Sequence, residues 1–389
     1  MGGKRNILFT TGIRSEYDIL AAVMAAVDRH PALAAQVVVT GAHLSPMYGH
    51  TDAEVVRDGF RVVSRIESLL NSDSKAGRVK SAAIQLTGLV DVFTRERPDF
   101  VIAMADREEA LTVAMAGAYL SIPVAHIGGG DTAADGNIDN AVRHAVTKLA
   151  HMHLVTTPGS AERVTRMGED PWRVHVVGAP GLDRILAVPQ RTREELGTIL
   201  GWDISRRPLA LVVQHSIIDQ AEQAGEQMRT TLNALTGMGA FSIVSYPNSD
   251  VGSQRIIAVI EEFAARFPDR LHAYRNLPRE AFVNVLRSID VMVGNSSCGI
   301  IEAPLLRIPV INVGRRQVGR EHSENVIFVD HEERQIVAAV RRALEDAAFK
   351  KQVAECRNPY GDGHAGERIA TLLAETQIDD RLIYKRNTY

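Results

Sequence analysis

Val291-Met-Val-Gly-Asn-Ser-Ser-Cys-Gly-Ile-Ile-Glu302 reads as a short buried strand that breaks at Gly294 and restarts as a helix. Small residues at Ser296, Ser297 and Gly299 let a ligand approach the backbone, and the unpaired N–H groups of a helix start favour an anion. Glu302 falls about one and a half turns further on, where a carboxylate accepts from two neighbouring sugar hydroxyls. The combination suits a nucleotide, with diphosphate at one end and ribose at the other. A plainer reading stands beside it: Ser296 and Ser297 as N-caps, and Glu302 as a carboxylate favoured by the dipole of the first turns. The next apolar strand ends in Gly314-Arg-Arg-Gln-Val-Gly-Arg-Glu-His-Ser-Glu-Asn325, which brings Arg315, Arg316 and Arg320 to the same edge, as ligand contacts or as a solvated loop. Successive strand ends are where open α/β sheets bind ligands.

The same pattern extends outward in both directions. Short apolar runs alternate with longer helical ones, which predicts a doubly wound α/β protein with parallel sheets. Strands are expected over 6–10, 36–40, 100–103, 124–126, 153–156 and 173–177, then over 210–215, 241–246, 271–274, 291–293, 310–313 and 327–329. That makes two Rossmann-type domains of about six strands each, with the seam at Gly178-Ala-Pro-Gly-Leu-Asp183. The expected division is 1–183 for the first domain and 184–365 for the second. Residues 366–389 are left as a helix packing back on the first domain and a tail, charged and frayed over 381–389.

A chain of 389 residues is long enough for two such cores. Its charged fraction of 23% and net charge of −3, with no basic stripe interleaved with aromatics, argue against a nucleic-acid partner. Two cysteines, Cys298 and Cys356, make no disulfide framework, and a reducing cytoplasm is the expected location. No apolar run has the roughly 18 residues of a membrane span. His151 and His153 lack a third ligand at zinc spacing, so neither a metal nor any other cofactor is expected.

Each strand end of the first domain carries polar groups that a core does not need. Thr10-Thr-Gly-Ile-Arg-Ser-Glu-Tyr17, Thr40-Gly-Ala-His-Leu-Ser45, Ala105-Asp-Arg-Glu-Glu109 and His126-Ile-Gly-Gly-Gly-Asp131 converge on one edge, followed by Asn137-Ile-Asp-Asn-Ala-Val-Arg-His-Ala-Val-Thr-Lys148. Local alternatives compete here. Asp106 with Glu109 fits a capping box on a helix over 107–120. Asp139 with Arg143, and His144 with Lys148, fit surface i, i+4 pairs. His126 fits a satisfied buried histidine.

The series TGIRSEYDIL, TGAHLS, ADREEAL, AHIGGGD, GNIDNAVRHAVTKLAHMH, GAPGLD, PNSDVG, GNSSCGIIEAP and GRRQVGREHSENV, running from about residue 5 to 330, resembles the hydrolysing UDP-N-acetylglucosamine 2-epimerase family. The resemblance implies a GT-B-like fold with two domains facing a central cleft. It also implies release of UDP and a free C2-epimeric sugar from a UDP-2-acetamido sugar, in routes to sialic and legionaminic acids. The non-hydrolysing 2-epimerases are the neighbouring class, and the RHAVTKLAHMH run resembles the hydrolysing one. Inversion at C2 needs an electron-poor C1, which departure of UDP supplies. A carboxylate then removes the C2 proton to give a 2-acetamidoglucal, and water adds with a proton delivered to the opposite face.

By the same resemblance, Asp106 and Asp139 match acid/base carboxylates, with Arg143 four residues on. Arg14 and His215 match diphosphate contacts, Asn248 and Asn325 lie in the matching PNSDVG and GREHSEN segments, and Ser296, Ser297, Glu302 and Arg320 match nucleotide contacts. Four departures stand out. Ala105 replaces a glycine common in the family, and Gly128 stands where some members carry a catalytic glutamate. The loop to Asp139 is longer by one or two residues, and Ser216 replaces the proline after His215. Asp131 is the expected replacement for the missing carboxylate, with His126 next. An altered pocket also fits an altered sugar, such as UDP-N,N'-diacetylbacillosamine. The expected partners are a UDP-sugar and UDP, with a homodimer or homotetramer as the assembly. A GT-B glycosyltransferase, a non-hydrolysing epimerase and a catalytically inactive nucleotide-sugar binder are the alternatives.

Overall fold

The computed structural model describes residues 3–72, 74–132, 138–248, 250–386 and 388. They fall into two compact units. One comprises the described residues up to Thr132 with those of Asn137–Arg184 and Tyr360–Tyr389; the other comprises those of Ile185–Pro359. The loop expected to be lengthened before Asp139 lies outside the described residues over 133–137.

The first unit is built on a seven-stranded parallel sheet of β1 (Arg5–Thr11), β2 (Leu33–Thr40), β3 (Val62–Ile66), β4 (Phe100–Met104), β5 (Val124–Ile127), β6 (Met152–Val155) and β7 (Val174–Val176), in the order β3-β2-β1-β4-β5-β6-β7. Six strands were expected, and β3 is the addition. It is an edge strand, half-exposed over most of its length, and Ser64-Arg65 breaks the apolar run by which the others are recognised. Ile7 and Phe9 pack on one face against Tyr17, Leu20 and Met24 of the Arg14–Arg29 helix and Ile369 and Leu373 of the Ala365–Glu375 helix. Leu8 and Val101 face Leu89 and Phe93 of the Lys75–Glu96 helix and Val113 of the Glu108–Tyr119 helix.

The second unit holds β8 (Leu209–Val213), β9 (Phe241–Ser245), β10 (Leu271–Tyr274), β11 (Val291–Gly294), β12 (Val310–Val313) and β13 (Val326–Val329), all parallel and ordered β10-β9-β8-β11-β12-β13. In both sheets the order reverses beside the unit's first strand, at β1/β4 and at β8/β11. A crevice opens at the carboxyl ends of such a switch point, and the loops after these four strands carry Arg14, Asp106, His215, Ser296, Ser297 and Glu302.

The chain rejoins the first unit at Tyr360, whose carbonyl accepts from Ala179 N–H at 2.7 Å. Asp183 then caps the start of the Ala365–Glu375 helix, accepting from Ala365 and Gly366 N–H at 3.0 and 2.6 Å. The tail beyond is not the frayed segment expected. Lys385 donates to the carbonyls of Lys148 and Ala150 at 2.9 and 2.7 Å, the open end of the Asp139–Leu149 helix, and pairs with buried Glu169 at 2.6 Å. Helix-end carbonyls need a donor from outside, and a charged tail supplies one.

Candidate active site

On the first unit the strand-end loops gather two carboxylates around one guanidinium. Arg143, on the Asp139–Leu149 helix and nearly buried, pairs with Asp106 after β4. It donates to the carbonyl of Gly128 after β5 at 3.1 Å and lies 3.7 Å from Asp131. Asp131 also accepts from Thr156 and Ser160 hydroxyls at 2.7 and 2.6 Å. Burying one guanidinium is tolerable because opposite charges and a carbonyl surround it. The capping box is therefore absent: the helix N-cap is Arg107 without a side-chain bond, and Asp106 turns to Arg143. Asp139 opens the helix that carries Arg143, one turn before it.

Backbone geometry shapes the same edge. Ala105 takes φ +60°, a left-handed conformation that favours glycine. Ile127 and His126 hold it there: Ala105 N–H donates to the Ile127 carbonyl at 2.9 Å, and His126 Nε2 donates to the Ala105 carbonyl at 2.9 Å. The other nitrogen of His126 lies 3.2 Å from the Thr147 hydroxyl, the side chain is fully buried, and burial pushes its pKa down to about 3. His126, second choice after Asp131 for the missing carboxylate, has the bonding of a satisfied buried histidine and braces the turn carrying Asp106. Gly130 has φ +77°, and a Cβ there would meet Ser160 O at 2.3 Å, so the turn into Asp131 requires glycine.

Neighbouring groups that the sequence reading passed over complete this edge. Glu16 accepts from Gly12 N–H at 2.8 Å, and burial and then the charge of Glu109 push its pKa up to about 8. Arg107 clamps Glu109 through Nε and Nη2 at 3.0 and 3.2 Å. The signal was present: Glu16 sits on the same helix stripe as buried Leu20, Val23 and Val27, where a core wants no charge. His43, fully buried, bridges the Thr11 and Thr51 hydroxyls at 3.0 and 2.7 Å. Arg107, Glu109 and Thr51, with Arg14 and Gln85, border a cavity of about 430 Å³. Arg14 itself faces Glu54 at 3.4 Å.

On the second unit the edge is organised by a residue not singled out, Asn295. Its amide bonds both backbone groups of His215, accepting from N–H at 2.7 Å and donating to the carbonyl at 2.9 Å, which ties the ends of β8 and β11. Gln317 and Arg316 donate to the Asn295 carbonyl at 2.9 and 3.2 Å. Gly294 before it has φ +133°, and a Cβ would meet Val213 O at 2.2 Å. His215 Nδ1 accepts from Asn248 N–H at 3.2 Å, and burial followed by the charge of Arg316 lowers its pKa to about 4. His215 is then neutral near pH 7 with its proton on Nε2. Asn248 is exposed and bonds Asp250 at 2.7 Å.

The helix after β11 is only Ser297–Ile301. Ser296 is its N-cap, accepting from Cys298 N–H at 3.4 Å, so the capping reading of that residue holds. Glu302, expected inside the helix, is its C-cap and accepts from Arg279 at 3.1 Å. Arg320 lies half-buried in the loop after β12. Asn325 is fully buried and donates to Ile308 O at 2.8 Å, binding loop to loop. His153 donates to Glu169 at 2.9 Å and His151 Nδ1 accepts from Val124 N–H at 3.0 Å, so the His-x-His pair is structural. Lys148, expected to pair with His144, goes to Glu169 at 2.8 Å.

Two doubly wound parallel units with polar switch-point loops define an α/β protein of the GT-B-like class. Solved structures share the fold: UDP-GlcNAc 2-epimerase of Neisseria meningitidis bound to UDP-GlcNAc aligns with a TM-score of 0.75 at 18% identity over 95% of this chain and 100% of that one. A putative UDP-N-acetylglucosamine 2-epimerase from Listeria monocytogenes aligns with a TM-score of 0.78 at 17% identity, over 95% and 96%. The family profile of UDP-N-acetylglucosamine 2-epimerase matches residues 25–374. The UDP-N,N'-diacetylbacillosamine 2-epimerase (hydrolyzing) of Legionella pneumophila is 35% identical over 99% of this chain and 100% of that protein. The UDP-N-acetylglucosamine 2-epimerase of Neisseria meningitidis is 30% identical over 89% of each. The chain belongs to the UDP-N-acetylglucosamine 2-epimerase family.

Proposed function

We propose that this enzyme is a hydrolysing 2-epimerase that converts a UDP-2-acetamido sugar to the free C2 epimer and UDP, with UDP-N,N'-diacetylbacillosamine or UDP-N-acetylglucosamine as substrate. The observation that carries the proposal is the pair of carboxylates, Asp106 and Asp131, held on one buried guanidinium. Proton transfer to and from C2 on opposite faces needs two acid/base groups. Arg143 holds both in place. One carboxylate takes the C2 proton; its bonding electrons form C1=C2 as the C1–O bond breaks and UDP leaves with that electron pair. Water then adds to C1 and a proton returns to the opposite face of C2. Asp139, on the helix of Arg143, is the third carboxylate at this edge.

His215 supports departure of UDP as a neutral donor through Nε2. Ser296 and Ser297 offer small polar contacts, Glu302 accepts from ribose hydroxyls, and Arg14 and Arg320 supply positive charge for the diphosphate. The relative named for hydrolysing chemistry supports release of UDP, and the reading extends to a role in making sialic- or legionaminic-type acids. A homodimer or homotetramer in the cytoplasm completes the proposal. Among the described residues no helix is long and apolar enough to cross a membrane.

Proton NMR in deuterated water, with each UDP-sugar in turn, tests this reading. A free manno-type sugar carrying deuterium at C2, with free UDP, is expected. Epimerised sugar still joined to UDP would replace it with the non-hydrolysing reaction. Binding of both substrates without UDP release would replace it with a binding role, and Gly128 in place of a carboxylate would be the first position to change.

A further inference from the structure

The second unit carries a cavity at the amino end of its sheet, away from the edge described above. Its volume is about 750 Å³, and Pro208 before β8, Asp290 before β11 and Pro309 before β12 line it. Strands of four or five residues set this end about 13–17 Å from the carboxyl edge that carries His215 and Ser296. Leu344 of the Glu333–Glu345 helix and buried Val353 of the Ala347–Glu355 helix add to its apolar floor. Three cations also line it, Arg307, Arg341 and Lys350, and their side chains make no hydrogen bond or ion pair among the described residues. Each comes from a different element: Arg307 from the turn before β12, Arg341 from the first of those helices and Lys350 from the second. Arg207 and Asp290 of the lining already pair at 3.3 Å, which leaves Glu345 as its remaining carboxylate.

Local causes account for only part of this arrangement. The negative dipole end of the Glu333–Glu345 helix attracts a cation, which explains Arg341 alone. Arg342 beside it turns elsewhere and lies over the Phe349 ring, 5.2 Å from its centroid. Arg307 takes φ +56°, where glycine or asparagine is the usual residue, so the turn by itself gives no reason for an arginine. In a chain of net charge −3, like charges from three elements gathered on one apolar cavity repel unless an anion lies between them. We propose that this cavity binds a nucleotide, with its phosphates among Arg307, Arg341 and Lys350 and its base and ribose on the floor of Pro208, Pro309 and Leu344. Guanidinium forks match phosphate oxygens, and a lysine supplies the compact charge beside them. The volume falls within the range of about 300–1,000 Å³ for small-molecule sites, and a bare phosphate would leave the apolar floor in water. The inference stands apart from the proposed reaction and uses none of its residues.

Calorimetric titration of the full chain with ATP, CTP, GTP and inorganic pyrophosphate tests it, at about 0.15 M ionic strength so that distant surface charges are screened. At least one nucleotide is expected to bind with a Kd of about 100 µM or tighter, and pyrophosphate more weakly. Arg341→Glu and Lys350→Glu each weaken that nucleotide about tenfold or more, and so does Arg307→Asn, which suits the left-handed turn and removes the cation. Leu344→Gln weakens the nucleotide and leaves pyrophosphate unchanged, which a bare anion patch would not do. The three cations are exposed, and unchanged far-UV circular dichroism shows that the variants remain folded. Absence of heat with all three nucleotides overturns the assignment, as does pyrophosphate bound as tightly as the best of them. Binding that survives Arg341→Glu combined with Lys350→Glu overturns it too, by placing the nucleotide elsewhere on the chain.

Discussion

The two switch-point edges of this molecule are built from different materials. The first unit's edge is a set of acidic and basic side chains, Asp106 and Asp131 on Arg143 and Glu109 on Arg107, carried on turns as unusual as Ala105 at φ +60°. The second unit's edge is fixed by backbone and neutral amides: Gly294 against Val213, and Asn295 bonded to both backbone groups of His215. Charges that must be exchanged with a substrate have to be held by other charges. A surface proposed to hold a nucleotide gains from fixed dipoles, which need no rearrangement when the ligand arrives.

This contrast breaks most readily at Asp106. Asp106→Asn keeps the shape and removes the charge, and it is expected to lower kcat about 1,000-fold while UDP binding changes little. Calorimetric titration with UDP beside steady-state kinetics reads both quantities. A variant at wild-type rate removes Asp106 from the chemistry, and lost UDP binding makes the first edge a binding surface. On the second edge the largest effect is expected from Gly294→Ala. Its methyl would sit 2.2 Å from a carbonyl at a φ unfavourable to L residues, at a cost of about 3 kcal/mol. Denaturant unfolding measures it, and an unchanged midpoint means that the strand end yields.

Acid should separate the units as well. His126 and His151 of the first unit have pKa values pushed down to about 3 and 4, mainly by burial, and His215 of the second to about 4. A histidine whose folded pKa lies below its unfolded value near 6.5 contributes fully above that pH, and its contribution is lost as the pH falls toward the folded value. Burial also lowers His43, His144, His153 and His175 of the first unit and His272 and His331 of the second, so the first unit carries six such groups against three and should weaken more between pH 7 and pH 5. Trp172 lies in the first unit and Trp202 in the second, and they are the only tryptophans, so Trp172→Phe and Trp202→Phe leave one reporter each. Equal shifts of the two unfolding midpoints would remove the distinction. A smaller effect belongs to Glu302→Ala, expected to raise KM about tenfold with kcat nearly unchanged. An unchanged KM sinks the ribose contact.

Sequence reading reached the two units differently as well. Strands buried on both faces announce themselves as apolar runs, so twelve of the thirteen were located, and only half-exposed β3 escaped. Local spacing misled wherever a partner lies far along the chain. Asp106 and Glu109 have the spacing of a cap, and Asp139 and Arg143 that of a surface pair, yet Arg143 turns inward to Asp106 across 37 positions. Asn325 and His126 have the chemistry of ligand contacts, and both are buried and bonded to a backbone carbonyl, which composition alone does not reveal. Asn295 stood inside the most informative stretch and was passed over, because its partner is the backbone of another strand.

The finest test concerns Ala105, where family resemblance and geometry meet. The family resemblance implies glycine there, and the backbone of this chain takes the left-handed turn that glycine favours. An L residue in that conformation costs about 1–2 kcal/mol, and glycine returns part of that gain as chain entropy. Ala105→Gly is therefore expected to stabilise the first unit by about 1 kcal/mol, raising Tm by roughly 2–4 °C. Scanning calorimetry reads the shift. A rise in Tm with kcat unchanged shows strain carried by the fold alone. A rise with a lower kcat shows that the strain and the added methyl help to aim Asp106 at the substrate. A Tm that falls shows that the hydrogen bonds from Ala105 to Ile127 and His126 already offset the turn, leaving glycine only its entropic cost.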